Sequence, residues 1–182
     1  MISQQYCMVM ARYNAWQNSQ LTGFLEAMDA EDLTVDRGAF FGSILGTLNH
    51  LLWGDMLWIS RFDGGEASKL GGQDSTRLCP DLATWAATRG RVDARISDWA
   101  AAVSDEQLQG SLRFFSGIAG REMVKPMALC VVQVFNHQTH HRGQVHAMLT
   151  AAGSKAPVSD LPFMPDAPSG VQRQSDEESE DV

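Results

Sequence analysis

The sequence predicts an all-α fold, a bundle of four long helices with a short hairpin ahead of the last. Three observations carry this. Apolar residues recur at three-to-four spacing in four long segments. Residues that cap or break helices fall at the segment ends. Strand-like patterning is confined to the stretch between Gly110 and Lys125.

The first helix is expected from Gln4 to Met28, where Cys7, Met10, Ala11, Leu21, Phe24 and Leu25 repeat at helical spacing before Asp29, Asp32 and Gly38 break it. Ser43 is a natural N-cap for a second helix through ILGTLNHLLWGDMLWISRF to Phe62. DGGEASKLGGQDS, with four glycines, reads as a loop. A third helix fits Asp81 to Val103, with Pro80 in its first turn and Leu82, Trp85, Val92, Ile96 and Trp99 on one stripe. SLRFF and REMVK flank the small-residue turn SGIAG and suggest a hairpin. Pro126 opens the fourth helix, which stops at the C-cap candidate Gly153. KAPVSDLPFMPDAPSG, with four prolines, should run extended over the surface or a partner.

The 182 residues suit one domain, expected over 1–165, followed by an acidic, disordered tail over 166–182. Hydrophobic residues make up 44%, in keeping with a globular protein. No apolar run approaches the roughly 18–20 residues of a membrane span, and the N-terminus lacks the features of a secretion signal. A cytoplasmic location is the default expectation. The odd, scattered Cys7, Cys79 and Cys130 argue against a disulfide framework and read as small buried hydrophobes. The net charge of −8 leaves no basic patch for phosphates, which disfavours nucleic-acid and anionic-membrane partners.

FNHQTHHRGQVH, Phe135 to His146, holds four of the five histidines. On a wheel at about 100° per residue with His137 at zero, Met127, Val131, Val134, Val145 and Leu149 mark the core face at about 60–120°. His141 falls near ~40°, whereas His140 near about −60° and His146 near about 180° point elsewhere. His137 and His141 are therefore the pair that faces inward together, an i, i+4 pair able to reach one cation. Gln144 continues their stripe as a partner for a ligand's second nitrogen. Gly143, costly inside a helix by about 1 kcal/mol, suggests a close helix contact.

A third histidine, His50, lies between Gly46 and Gly54, which leave room above and below it for another helix or a ligand. Read alone, His50 is also compatible with a hydrogen-bonded core residue. Asp55 falls on the apolar stripe with Leu48, Leu51, Trp58, Ile59 and Phe62, so its carboxylate needs a partner: an arginine, or a metal-bound histidine that it orients.

NHQTHHRGQVHAMLTAAG, together with YNAWQN at 13–18, GSILGTLNHLLWGDMLWISRF at 42–62 and DLPFMP at 160–165, resembles the DinB family within the DinB/YfiT-like superfamily of metalloenzymes. The resemblance runs in order to about Pro165. It implies an up-down-down-up four-helix bundle, commonly a homodimer, with a divalent metal on His50 of TLNHLL and on His137 and His141 of HQTHH. Relatives in the superfamily use low-molecular-weight thiols, as transferases or in a thiol-dependent isomerase.

Three imidazoles leave a divalent ion with an open position, the pattern of catalytic rather than structural zinc. Zinc or nickel is the expected metal. The expected function is metal-dependent chemistry on a small molecule, thiol-S-transfer or hydrolysis. The alternative is a non-catalytic dimeric metal-binding module of a stress response. Asp55, Gln144, Tyr13 and His140 are the candidates for proton transfer or orientation, and none is assigned a catalytic role.

Overall fold

A computed structural model describes residues 1–166. The acidic tail expected from 166 onward thus lies, apart from Asp166, outside the described residues. The chain is mostly helical, with one two-stranded sheet, so the expectation of an all-α chain holds only with the hairpin included. No helix among the described residues is long and apolar enough to cross a membrane.

Helix α1, Gln4–Leu25, starts where the Ser3 hydroxyl accepts the Tyr6 N–H, and ends three residues before the expected Met28. A short helix α2, Ala30–Thr34, occupies the segment that the sequence assigns to a helix break. Helix α3, Ile44–Asp63, is capped by Ser43 as expected, its hydroxyl accepting Gly46 N–H at 3.0 Å. It closes on Gly64 in the left-handed region at φ 73°. The glycine-rich connection is not all loop, because Gly72–Arg77 forms a 3₁₀ turn.

Helix α4 is Leu82–Ala102. Asp81, not Pro80, defines its start, accepting Thr84 N–H at 2.7 Å; the proline stands one residue outside the cap. A second short helix absent from the sequence reading, α5 at Asp105–Gln109, carries a Ser104/Gln107 capping box. Five-residue helices offer too little periodicity to be read from pattern. The hairpin is present: β1, Ser111–Ser116, pairs antiparallel with β2, Arg121–Pro126. Helix α6, Met127–Ala151, follows directly. Pro157 is buried beyond it, and the segment runs along α1, where Tyr13 and Gln17 donate to the carbonyls of Ser159 and Val158.

The four long helices pack α1 on α4 and α3 on both α4 and α6. Their apolar interior includes Leu48, Leu52, Trp85, Ile96, Val131 and Leu149, all at most 4% exposed. At an apolar burial value of about 25 cal/mol per Å², such side chains supply most of the drive to fold.

Running through this interior is a polar network with members on all four long helices. Asp55 of α3 accepts from Arg89 of α4 at 2.7 Å and from Gln138 of α6. Arg89 also pairs with Asp93 at 2.8 Å. Asn14 and Asn18 of α1 donate to Asp93, and Arg142 of α6 donates to Asn14 and Gln138. Of the two partners the sequence left open for Asp55, the arginine is the one found. Burial pushes the Asp55 carboxyl pKa upward, and Arg89 and Gln138 oppose that push. Two carboxylates and two guanidinium groups leave the network neutral, which is what permits it inside an apolar core.

Removing one member strands its partner's charge. Asp55→Ala is expected to cost about 3–5 kcal/mol in urea unfolding, whereas Glu122→Ala, which breaks an Arg113–Glu122 pair with both side chains over two-thirds exposed, should cost less than about 1 kcal/mol. Equal costs would show that the network is not what ties the helices together.

Candidate metal centre

His50, in the middle of α3, and His137 and His141, one turn apart on α6, come together at the α3–α6 contact. Their ligand nitrogens lie within 4.8 Å of one another, and no other His, Cys, Asp or Glu joins the group among the described residues. Ring centroids are 4.4 Å apart for His137 and His141, 5.0 Å for His50 and His141, and 5.3 Å for His50 and His137. The wheel's division of the histidines is reproduced: His140 is exposed, and His146 borders a different part of the molecule.

Hydrogen bonding fixes the tautomer of two rings. The Ser75 hydroxyl donates to Gly72 O at 2.8 Å, so its oxygen can only accept from His50 Nδ1–H, 3.0 Å away. The Oε1 of Gln144 is an acceptor and lies 2.7 Å from His141 Nδ1, which must therefore carry its proton. On both rings this leaves Nε2 with a lone pair. His50 Nε2 stands 3.3 Å from His137 Nε2. Two nitrogens each bonded at about 2.0–2.1 Å to one tetrahedral ion are about 3.3–3.4 Å apart, so the His50–His137 pair already has the spacing that a divalent ion requires, with His141 in the same group.

All three rings are held neutral. Burial, then the neighbouring His137 and His141, pushes His50 down to about 4. Burial, then His141 and His140, does the same to His137, also to about 4. His141 is lowered by burial, with Gln144 opposing. Neutral imidazole is the form that ligates.

Both glycines flanking His50 have a use. A Cβ on Gly54 would lie 3.0 Å from His137 Cε1, so α6 approaches α3 there through the ring itself. At Gly46 a Cβ would come within 2.5 Å of the Phe41 carbonyl oxygen. What approaches is the chain's own preceding loop, not another helix or a ligand. That crossing lays the Phe41 ring on His50, with centroids 3.8 Å apart and planes at 23°. Trp53, 6.0 Å from His50, binds Leu70 O through its indole N–H. Gly143 departs from expectation, since nothing lies within 4 Å of its Cβ position and it makes no close helix contact.

Of the other candidates, Gln144 orients His141 and also donates to His140 at 3.3 Å. Asp55 is spent in the buried network, and Tyr13 donates to Ser159 O away from the histidines. Sequence reasoning missed Ser75 and Phe41. Both lie in connections without periodicity, and their reach to His50 depends on how those loops return.

Comparison with known proteins supplies the family and a likeness of fold. The chain is 27% identical over 157 residues to "Protein DinB" of Bacillus subtilis (strain 168), spanning 81% of this chain and 87% of that protein. A crystal structure of a DinB-like protein from Bacillus cereus ATCC 10987 superposes with a TM-score of 0.55 at 22% identity, covering 79% of this chain and 90% of that one, a likeness of fold. The model of the DinB family matches residues 1–177, and with nearly the whole length accounted for, this chain belongs to the DinB family.

Proposed function

We propose that this chain is a divalent-metal protein whose ligands are the Nε2 atoms of His50, His137 and His141, in an up-down-down-up four-helix bundle that acts as a homodimer. The metal is zinc or nickel, and the site performs thiol-S-transfer or hydrolysis on a small molecule. The observation that carries the reading is the pair of anchored tautomers: Ser75 and Gln144 each hold a ring with its lone pair turned to the common centre.

An ion held there would supply Lewis acidity, drawing water or a thiol toward its anionic form near neutral pH. The chain's residues do the rest. Ser75 and Gln144 keep the two rings from rotating. Phe41 covers one side of His50 and excludes water from that face. His50 and His137 keep partial exposure, which leaves a path to the centre for a small molecule. Among the described residues no carboxylate joins the three histidines, so none is placed as a proton acceptor at the centre. The non-catalytic reading draws on the position of the cluster, where one ion would tie α3 to α6. The two readings part at the open position: exchange of a coordinated water, or a change in the spectrum of the cobalt-substituted protein on adding glutathione or coenzyme A, belongs to an enzyme.

Elemental analysis of the purified protein should find about one divalent ion per chain, with stoichiometric binding abolished in His137→Ala and weakened about 10–100-fold in Ser75→Ala. Metal retained undiminished by His137→Ala would overturn the assignment. A single-chain mass in sedimentation at micromolar concentration would remove the homodimer.

Acid sensitivity of the metal-free protein follows from the same rings. Unfolded, a histidine takes its proton near pH ~6.5, but folded His50 and His137 take theirs at about 4. Between these values the unfolded chain binds more protons, so stability is present above pH ~6.5 and is lost as the pH falls toward 4. The urea midpoint should drop across that window, and the drop should be shallower in His137→Gln. Parallel curves for the two proteins would contradict it.

A further inference from the structure

On the face of α6 turned away from the three histidines lies a pocket of about 260 Å³ between α6, α1 and the segment after Gly153. Arg142 lines it and is only 7% exposed. Its NH1 is used by Asn14 and Gln138, both neutral. The carboxylates of the buried network, Asp55 and Asp93, pair instead with Arg89. Arg142 therefore touches no carboxylate among the described residues: the network balances its charge only through the neutral Asn14 and Gln138, and its other guanidinium edge has no acceptor.

The remaining donors of Arg142 are Nε and NH2. They bond to nothing in the described protein and are not among its sealed polar atoms, so they keep contact with solvent on a residue that lines the pocket. Nε and NH2 form one edge of the planar guanidinium, whose two parallel N–H bonds match the two oxygens of a carboxylate. The Tyr13 ring lies against the guanidinium, 5.4 Å from its centre, and holds that plane in place.

The other features of the pocket point the same way. His146, one turn beyond Arg142, makes no side-chain hydrogen bond in the described protein and lines the same space, offering a further N–H. Among the described residues no Asp or Glu lines the pocket. Tyr13 and Gln17 spend their donors on Ser159 O and Val158 O, which fastens the wall that Pro157 belongs to. Gly143, exposed on α6, also lines the pocket. Its Cβ position is open space, so the helix carries a glycine where alanine would fit, and the room goes to the pocket.

We propose that this pocket binds a small organic carboxylate, with the carboxylate on the Nε–NH2 edge of Arg142, His146 as second donor, and an apolar body against Leu21 and Pro157. The site is separate from the histidine cluster and does not rest on the metal reading.

The test is a titration of the full-length protein with benzoate, followed by NMR, with and without one equivalent of zinc. The Gly143 amide and the His146 ring signals should shift saturably in both, while those of His50 and His137 stay put. Gly143→Leu, which adds a side chain into the open space beside the pocket at an exposed helical position, should weaken binding at least about tenfold, about 1.4 kcal/mol. Absence of saturable shifts, shifts unchanged by Gly143→Leu, or shifts confined to His50 and His137 would each overturn the proposal. Inorganic phosphate supplies the control for a general anion site, and saturation by phosphate without benzoate would sink the carboxylate assignment.

Discussion

The contact of Asp55 with Arg89 and Gln138 is the constraint on which the rest of the arrangement depends. An apolar interface between helices tolerates rotation and sliding at small cost, because Leu against Leu is much the same one turn along. A buried carboxylate does not, since every register but one leaves a charge unpaired. Asp55 follows His50 by five residues on α3, and Gln138 follows His137 directly on α6. Satisfying Asp55 thereby sets the height and rotation at which the two helices present their imidazoles. The network is also shared with α1 and α4 through Asn14, Asn18 and Asp93, so the histidines inherit their placement from all four long helices.

Helix α6 divides its work by face. His137 and His141 look toward α3, Val131, Val145 and Leu149 fill the core, and Gln138 and Arg142 enter the polar network. Adjacent residues thus serve different neighbours, as the roughly 100° step of the helix requires. A side chain that anchors the helix sits beside each of its two candidate ligands.

Much of this was legible beforehand, and the reasons are physical. The long helices announced themselves through apolar periodicity and through Ser43 and Gly153, because caps and period are local properties. The pairing of His137 with His141 needed only the helical repeat. His50 was a weaker inference from the residues alone, since which helices pack together is not written locally; there the family resemblance supplied the ligand. Ser75 and Phe41 stayed out of reach because they depend on how aperiodic connections fold back on α3, and the five-residue helices α2 and α5 because they carry too little periodicity to read. Gly143 was misjudged for a related cause: a glycine can admit a neighbouring helix or keep a space empty, and only the surroundings tell which.

The hydrogen bonds that Ser75 and Gln144 accept can also be counted in states. Three unconstrained neutral imidazoles have about eight tautomer combinations, and only one presents every Nε2 lone pair at once. With His50 and His141 already fixed by their oxygens, two combinations remain, a saving of about 0.8 kcal/mol in the configurational cost of binding. What is left to rearrange when an ion arrives is a single proton, on His137.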